Sequence, residues 1–240
     1  MVKIGCCGFP VGRKNYRLRL QVVEVQETFY QPPKPETVRR WRLEAPPAFE
    51  FALKAWQLIT HEASSPTYRR LGRALAPEER RLAGSFQDTP LVRQAWETTR
   101  ELARILSARL ILFQCPARFG PSEENLLRLR RFFGQIKRHE FLFAWEPRGA
   151  WPPELVAGLC RELDLIPALD PFSTAPYPGP LAYFRLHGKG GYRYTYTDQD
   201  LTELKAIVSG YQEVYLFFNN LSMWPDACRL VELMGRKAGS

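Results

Sequence analysis

Eight apolar, β-rich runs recur along the chain, most of them separated by stretches with helical spacing. The first half holds VKIGCCG (2–8), VVEVQET (22–28), FEFALKA (49–55) and RLILFQC (109–115); the second holds EFLFAWE (140–146), DLIPALD (164–170), LAYFRLH (181–187) and EVYLFFN (213–219). Helical patterns cover 34–45, 89–107, 122–136, 152–163, 197–209 and 224–235, with start signals at Ser122, at Thr197-Asp198 and at Pro152-Pro153. Strands that are nearly continuous apolar runs, alternating with helices, belong in a parallel sheet covered by helices. Eight such units in 240 residues predict an α/β fold, a (β/α)8 TIM-type barrel. An open doubly wound sheet also alternates, and the count favours the barrel without excluding that sheet. A single domain over 1–240 is expected, with an elaborated loop of short helices at 56–88 after the third strand.

In a barrel of this kind the functional residues gather at the carboxyl ends of the strands. Those ends carry Glu24 and Gln26, then Lys54, Gln114, Glu146 with Arg148, Asp170, Arg185 with His187, and Asn219 with Asn220. The period of two sets Glu24, Gln26 and Thr28 on one face against Val23 and Val25, and sets Arg185 and His187 against Phe184 and Leu186. One such polar face fits a wet edge strand; several fit polar faces converging on a site.

Lys and Arg number 34 against 25 Asp and Glu, a formal charge of +9, which attracts anions: phosphorylated metabolites, nucleic acid or an acidic surface. Solvated helix faces such as LLRLRRFFGQIKR (126–138) account for part of that charge. No apolar run is long enough for a membrane helix and no signal-peptide pattern opens the chain. Five cysteines without CxxC spacing read as reduced core residues, so a cytoplasmic location is expected, with no membrane partner.

Six segments in a fixed order then become recognisable: VEVQETFY (23–30), FALKAWQLITH (51–61), FQCP (113–116), WEPRGAW (145–151), FRLHG (184–188) and FFNN (217–220). Together they resemble the YecE-like family, domain-of-unknown-function family 72, over nearly the whole chain. The resemblance implies a TIM-type barrel and brings no established reaction with it. Carried over position by position, the family-like polar residues are Glu24, Thr28, Tyr30, Lys54, Thr60, His61, Gln114, Glu146, Arg148, Trp151, Arg185, His187, Gly188, Asn219 and Asn220. The first loop departs from the family: GCCGFP (5–10) has two cysteines before its second glycine.

The chemistry of this set suits an anionic, phosphate-containing small molecule. Arginine offers a bidentate fork and lysine a movable point charge. His187 and Glu146 are the expected proton-transfer groups of a hydrolase- or lyase-like reaction, with His61 and Lys54 as further catalytic candidates. Arg148 and Arg185 would hold the anion, while Glu24, Thr28, Tyr30, Gln114, Trp151, Gly188, Asn219 and Asn220 would shape the substrate site. The loop GKGG (188–191), with Lys189, stands where many barrels bind phosphate through backbone amides, although it lacks Walker spacing. A metal is not expected, because no HxH or HExxH spacing occurs and the neighbouring cations would repel one. No cofactor is expected either. His139, ahead of the fifth strand, reads as structural. The alternative is a nucleic-acid-binding or nucleic-acid-processing protein using the same basic mouth, with Arg193 among Tyr192, Tyr194 and Tyr196 as a stacking platform. Those tyrosines read equally well as a short strand or a lid. The oligomeric state is not legible.

Overall fold

The computed structural model describes residues 1–138 and 141–235; His139 lies outside the described residues. Its elements run β1 (Val2–Cys7), α1 (Arg13–Arg19), β2 (Val22–Val25), α2 (Glu27–Tyr30), α3 (Pro35–Glu44), β3 (Glu50–Lys54) and α4 (Gln57–Thr60). After a 3-10 turn at Pro66–Arg70 come α5 (Pro77–Leu82), α6 (Pro90–Leu106), β4 (Leu110–Gln114), α7 (Glu123–Gln135), β5 (Leu142–Glu146), α8 (Pro153–Glu162) and β6 (Ile166–Leu169). The chain then forms β7 (Leu181–Leu186), α9 (Asp198–Val208), β8 (Glu213–Phe218) and α10 (Met223–Gly235). The strands form a closed parallel barrel in sequence order, β1 to β8. The predicted fold class is therefore the observed one.

The capping signals act as their chemistry requires. Ser122 accepts from the backbone N–H of Asn125 at the start of α7, and Thr197 and Asp200 form a reciprocal capping box on α9. One local expectation fails. The second strand stops at Val25, because Gln26 turns into the helical region (φ −96°, ψ −25°) and starts α2, so strand parity does not extend to Gln26 and Thr28. Helix α1 lacks a side-chain cap and buries only Tyr16, so no apolar stripe announces it. The stretch 56–88 holds short helices, as expected of it.

By contact density the chain divides into two compact units. The first comprises Met1–Val25, Ala45–Glu50 and the chain from Ala168 onward; the second comprises Gln26–Glu44 and Phe51–Pro167. In the first, β8 pairs with both β1 and β7, and Lys3 at the amino end of β1 is bound by Glu50, Glu213 and Tyr215. The core of the second is aromatic: Phe113 lies edge-on to Phe132, Phe133 and Phe143, and Trp96 stands edge-on to Phe143. The alternation along β4 sends Phe113 to that packing and leaves Leu112 and Gln114 on the opposite face.

Candidate functional site

Each unit carries a polar cluster at the carboxyl ends of its strands. In the second unit Lys54, Gln114 and Glu146 are the last residues of β3, β4 and β5, and the register sets Gln114 directly opposite Glu146. Parallel strands ending level with one another bring these three side chains into one chain of hydrogen bonds. Lys54 Nζ donates to Gln114 Oε1 (2.7 Å), Gln114 Nε2 donates to Glu146 Oε2 (2.8 Å), and Arg148 Nε donates to Glu146 Oε1 (2.8 Å). Gln114 thus orients a cation and a carboxylate through the two ends of one amide. Lys54 and Glu146 are buried, whereas the Arg148 side chain is 39% exposed.

Short helix α2 completes this arrangement. Thr28 Oγ1 donates to the backbone oxygen of Lys54 (2.7 Å), fixing the strand end, and the Phe29 ring lies 3.8 Å beneath Lys54 Nζ. Phe29 also packs edge-on against His61, and Tyr30 carries the Arg70 guanidinium 3.4 Å from its ring centre. His61 caps α4; its Nδ1 and Thr60 Oγ1 are 2.7 Å apart. Burial, with the charges of Lys54 and Arg118, lowers the His61 pKa to about 3. His61 is therefore neutral at physiological pH and carries no proton to donate as imidazolium.

That shift has a stability consequence. Between pH 6.5 and about 3 the unfolded chain binds a proton at His61 that the folded chain does not, so folding is weakened as pH falls through this window. The expected slope from this group is up to about 1.4 kcal/mol per pH unit. Urea denaturation from pH 6.5 down to 4 should show a shallower loss of stability in His61→Asn than in the wild-type chain. Equal slopes would mean that His61 is not the group resisting protonation.

In the first unit Glu24, at the end of β2, is fully buried and accepts from Arg185 Nε (3.0 Å) and Nη2 (2.8 Å) on its two oxygens. Tyr183 O–H donates to it at 2.6 Å and Cys7 Sγ at 3.3 Å. Burial raises the Tyr183 and Cys7 pKa values well above their ordinary values, so both stay protonated donors. Parity had set Glu24 and Arg185 on polar faces, and these faces do meet. They meet as each other's partner, at 0% and 1% side-chain exposure, a geometry that positions strands β2 and β7.

His187 follows β7. Asp170 Oδ2 accepts from its backbone N–H (2.7 Å), and the Asn219 amide donates to Nδ1 (3.0 Å), which places the proton of the neutral ring on Nε2. The GKGG loop is folded onto itself. Gly188 and Gly191 have φ of 89° and 99°, Gly188 N–H donates to Tyr196 Oη, and Gly191 N–H donates to Gly188 O. The Lys189 ammonium is engaged by Asp200 (2.7 Å) and Glu203 (3.0 Å), which raises its pKa. A phosphate cradle with Lys189 at its centre is not what this loop forms, because its cation is neutralised by α9. Asn220 is fully buried, with Nδ2 donating to Tyr194 O and Asp226 Oδ2, so it ties the tyrosine segment to α10. Tyr192 is exposed, Tyr194 half-buried and Tyr196 buried, so the three tyrosines form neither a strand nor a common stacking face. Trp151 is buried, donating to Phe119 O and standing edge-on to Trp145.

Among the described residues no three His, Cys, Asp or Glu side chains gather as metal ligands would, and no helix is long and apolar enough to cross a membrane. Sequence reasoning missed Phe29 and Arg118. Phe29 stands between the selected Thr28 and Tyr30 and reads as core; Arg118 comes from a loop whose path has no sequence signature.

The sequence profile of the family described as "Protein of unknown function DUF72" matches residues 13–240. The chain belongs to the DUF72 family. Solved structures agree. A DUF72 family protein from Enterococcus faecalis V583 is similar at 22% identity and a TM-score of 0.72, over 99% of this chain and 98% of that one. A DUF72 family protein from Thermotoga maritima MSB8 is similar at 18% identity and a TM-score of 0.68, over 98% and 100%. A xylose isomerase domain containing protein from Salmonella typhimurium LT2 shares the fold at 14% identity and a TM-score of 0.55, over 90% and 87%. At such identities the likeness speaks for the barrel alone. None of the curated proteins compared matches the chain. The resemblance drawn from six motifs is thus a family membership, and the cysteine-bearing first loop does not remove the chain from it.

Proposed function

We propose that this DUF72 protein binds a small anionic molecule, bearing phosphate or carboxylate, through the cationic array of its second unit. The observation that carries this reading is the chain Lys54–Gln114–Glu146–Arg148, in which one carboxylate holds Arg148 directly and Lys54 by way of the Gln114 amide. Arg70 on Tyr30 and Arg118 near His61 add positive charge, against which Glu62 stands 3.6 Å from Arg118. Four cations thus face two carboxylates. Burial is the main cause of the depressed His61 pKa, and the charges of Lys54 and Arg118 add to it. A buried lysine and a partly exposed arginine, already oriented by hydrogen bonds, lose little freedom when an anion arrives.

Within the first unit, His187, whose ring is held by the Asn219 amide, is the group best placed to act in proton transfer. Glu146, with hydrogen bonds on both oxygens, is better suited to orienting Lys54 and Arg148 than to moving protons.

Calorimetric titration with inorganic phosphate and with citrate tests the binding reading. Lys54→Met and Arg148→Met should each weaken binding by about 10- to 100-fold, the worth of a charge-assisted hydrogen bond. Unchanged affinity in both variants would overturn the assignment. A short single-stranded oligonucleotide that binds more tightly than phosphate, with a steep salt slope, would favour the nucleic-acid reading instead.

A further inference from the structure

From Lys54 the second unit continues through two packed rings to an arginine at the surface. Lys54 Nζ lies 3.8 Å from the Phe29 ring centre, Phe29 meets Tyr30 edge-on at 4.9 Å, and the Arg70 guanidinium lies 3.4 Å from the Tyr30 ring centre. At that last separation the guanidinium lies flat on the ring, since an edge-on approach would drive its nitrogens into the ring carbons. One face of the guanidinium thus covers Tyr30, and because Arg70 is exposed the other face turns to solvent. Among the described residues no acidic side chain pairs with Arg70.

The segment that carries Arg70 is tethered on both sides. Ser65 Oγ accepts from Thr67 N–H and caps the 3-10 turn Pro66–Arg70. Tyr68 Oη donates to the backbone oxygen of His61 (2.7 Å), and Gly72 N–H donates to Gln31 Oε1 (2.9 Å). His61 follows α4 and Gln31 follows α2, the helix whose Thr28 and Phe29 hold Lys54, so the turn is fixed relative to the strand-end array. A surface arginine that served only solubility would need neither a ring beneath it nor a tethered backbone. A guanidinium already flat on one ring is a platform on which a second ring stacks.

We propose that the anion held by Lys54 and Arg148 is a phosphate monoester carrying a planar ring, of the nucleoside 5′-phosphate class, whose base lies on the open face of Arg70. This inference rests on the anion-binding reading above and names its substrate class. It makes Tyr30 the support of the platform, and Arg70 the residue that tells a nucleotide from a bare sugar phosphate.

The test is calorimetric titration of the full chain with AMP, ribose 5-phosphate and adenosine. AMP should bind about 10-fold more tightly than ribose 5-phosphate, the worth of one stacked base. Adenosine, which lacks the charge-assisted bonds of the phosphate, should bind more weakly than AMP. Arg70→Lys keeps the charge and removes the plane, and it should erase the difference between AMP and ribose 5-phosphate. Circular dichroism and the melting temperature confirm that this surface variant is folded. Equal affinities for AMP and ribose 5-phosphate in the wild-type chain, a difference that survives Arg70→Lys, or adenosine binding as tight as that of AMP would each overturn the proposal. If ribose 5-phosphate binds and Lys54→Met weakens it while the base adds nothing, the nucleotide assignment falls and the anion-binding reading stands. If neither ester binds at millimolar concentration, the anion-binding reading falls and this proposal with it.

Discussion

Arg185→Met should cost about 3–5 kcal/mol of folding stability, the range seen when one member of a buried ion pair is removed. The guanidinium spans both oxygens of Glu24, and neither side chain has appreciable contact with water. Removing it takes away the charge that compensated the desolvation of the carboxylate, while the Tyr183 and Cys7 donors at 2.6 and 3.3 Å keep that carboxylate where it is. For a chain of this size each kcal/mol lowers the melting temperature by about 2–4 °C, so a fall on the order of 10 °C is expected. Glu24→Gln combined with Arg185→Met should recover more than half of the loss, because a neutral amide can keep the Tyr183 bond without a partner charge. Urea denaturation of the two variants and the wild type decides the matter. A single-variant cost below about 1 kcal/mol would mean that water reaches Glu24, and would reopen a ligand role for the pair.

This pair shows how much of the site was legible and where legibility stopped. Strand parity correctly set Glu24 and Arg185 on polar faces, because alternation in a parallel sheet is a property of the backbone. Parity is silent on whether a polar side chain meets a ligand or another side chain, since both arrangements look the same along a single strand. The eight strands were readable because each is a nearly continuous apolar run broken by few polar residues, the pattern of a sheet enclosed by helices. Lys54, Gln114 and Glu146 were readable because each is the last residue of its strand. Helix α1 was not, lacking a cap and an apolar stripe, and the early end of β2 was not, since VEVQET alternates well beyond Val25. The glycine loop misled for a physical reason: Lys189 is basic in sequence, and the acids that neutralise it lie on α9, at Asp200 and Glu203. Local composition reports charge, and only folding reports what the charge faces.

The left-handed turn at Gly84–Phe86 was equally hidden, and it yields the second large effect. Gly84 N–H donates to Leu58 O, Ser85 N–H to Thr60 O and Phe86 N–H to Ile59 O, so the turn binds the carbonyls of α4 just before His61. A Cβ at Gly84 would lie 2.2 Å from both the carbonyl carbon and oxygen of His61, and 2.5 Å from the amide nitrogen of Glu62. These are backbone atoms, and no rotamer change relieves the clash. The left-handed φ of 81° adds about 1–2 kcal/mol for any L side chain, and the overpacking adds about 1–3. Gly84→Ala should therefore cost about 2–5 kcal/mol and displace His61 with its ring. Gly134→Ala, in α7 with no atom within 4 Å of the added carbon, is the control and should stabilise the chain by about 0.5–1 kcal/mol. The chain has 3 histidines, so the His61 imidazole resonance can be assigned by comparison with His61→Asn. In Gly84→Ala that resonance should shift and phosphate affinity should fall, because the ring packs on Phe29, which underlies Lys54. A Gly84→Ala protein as stable as the wild type, with an unmoved His61 resonance, would show that the turn does not hold His61 in place.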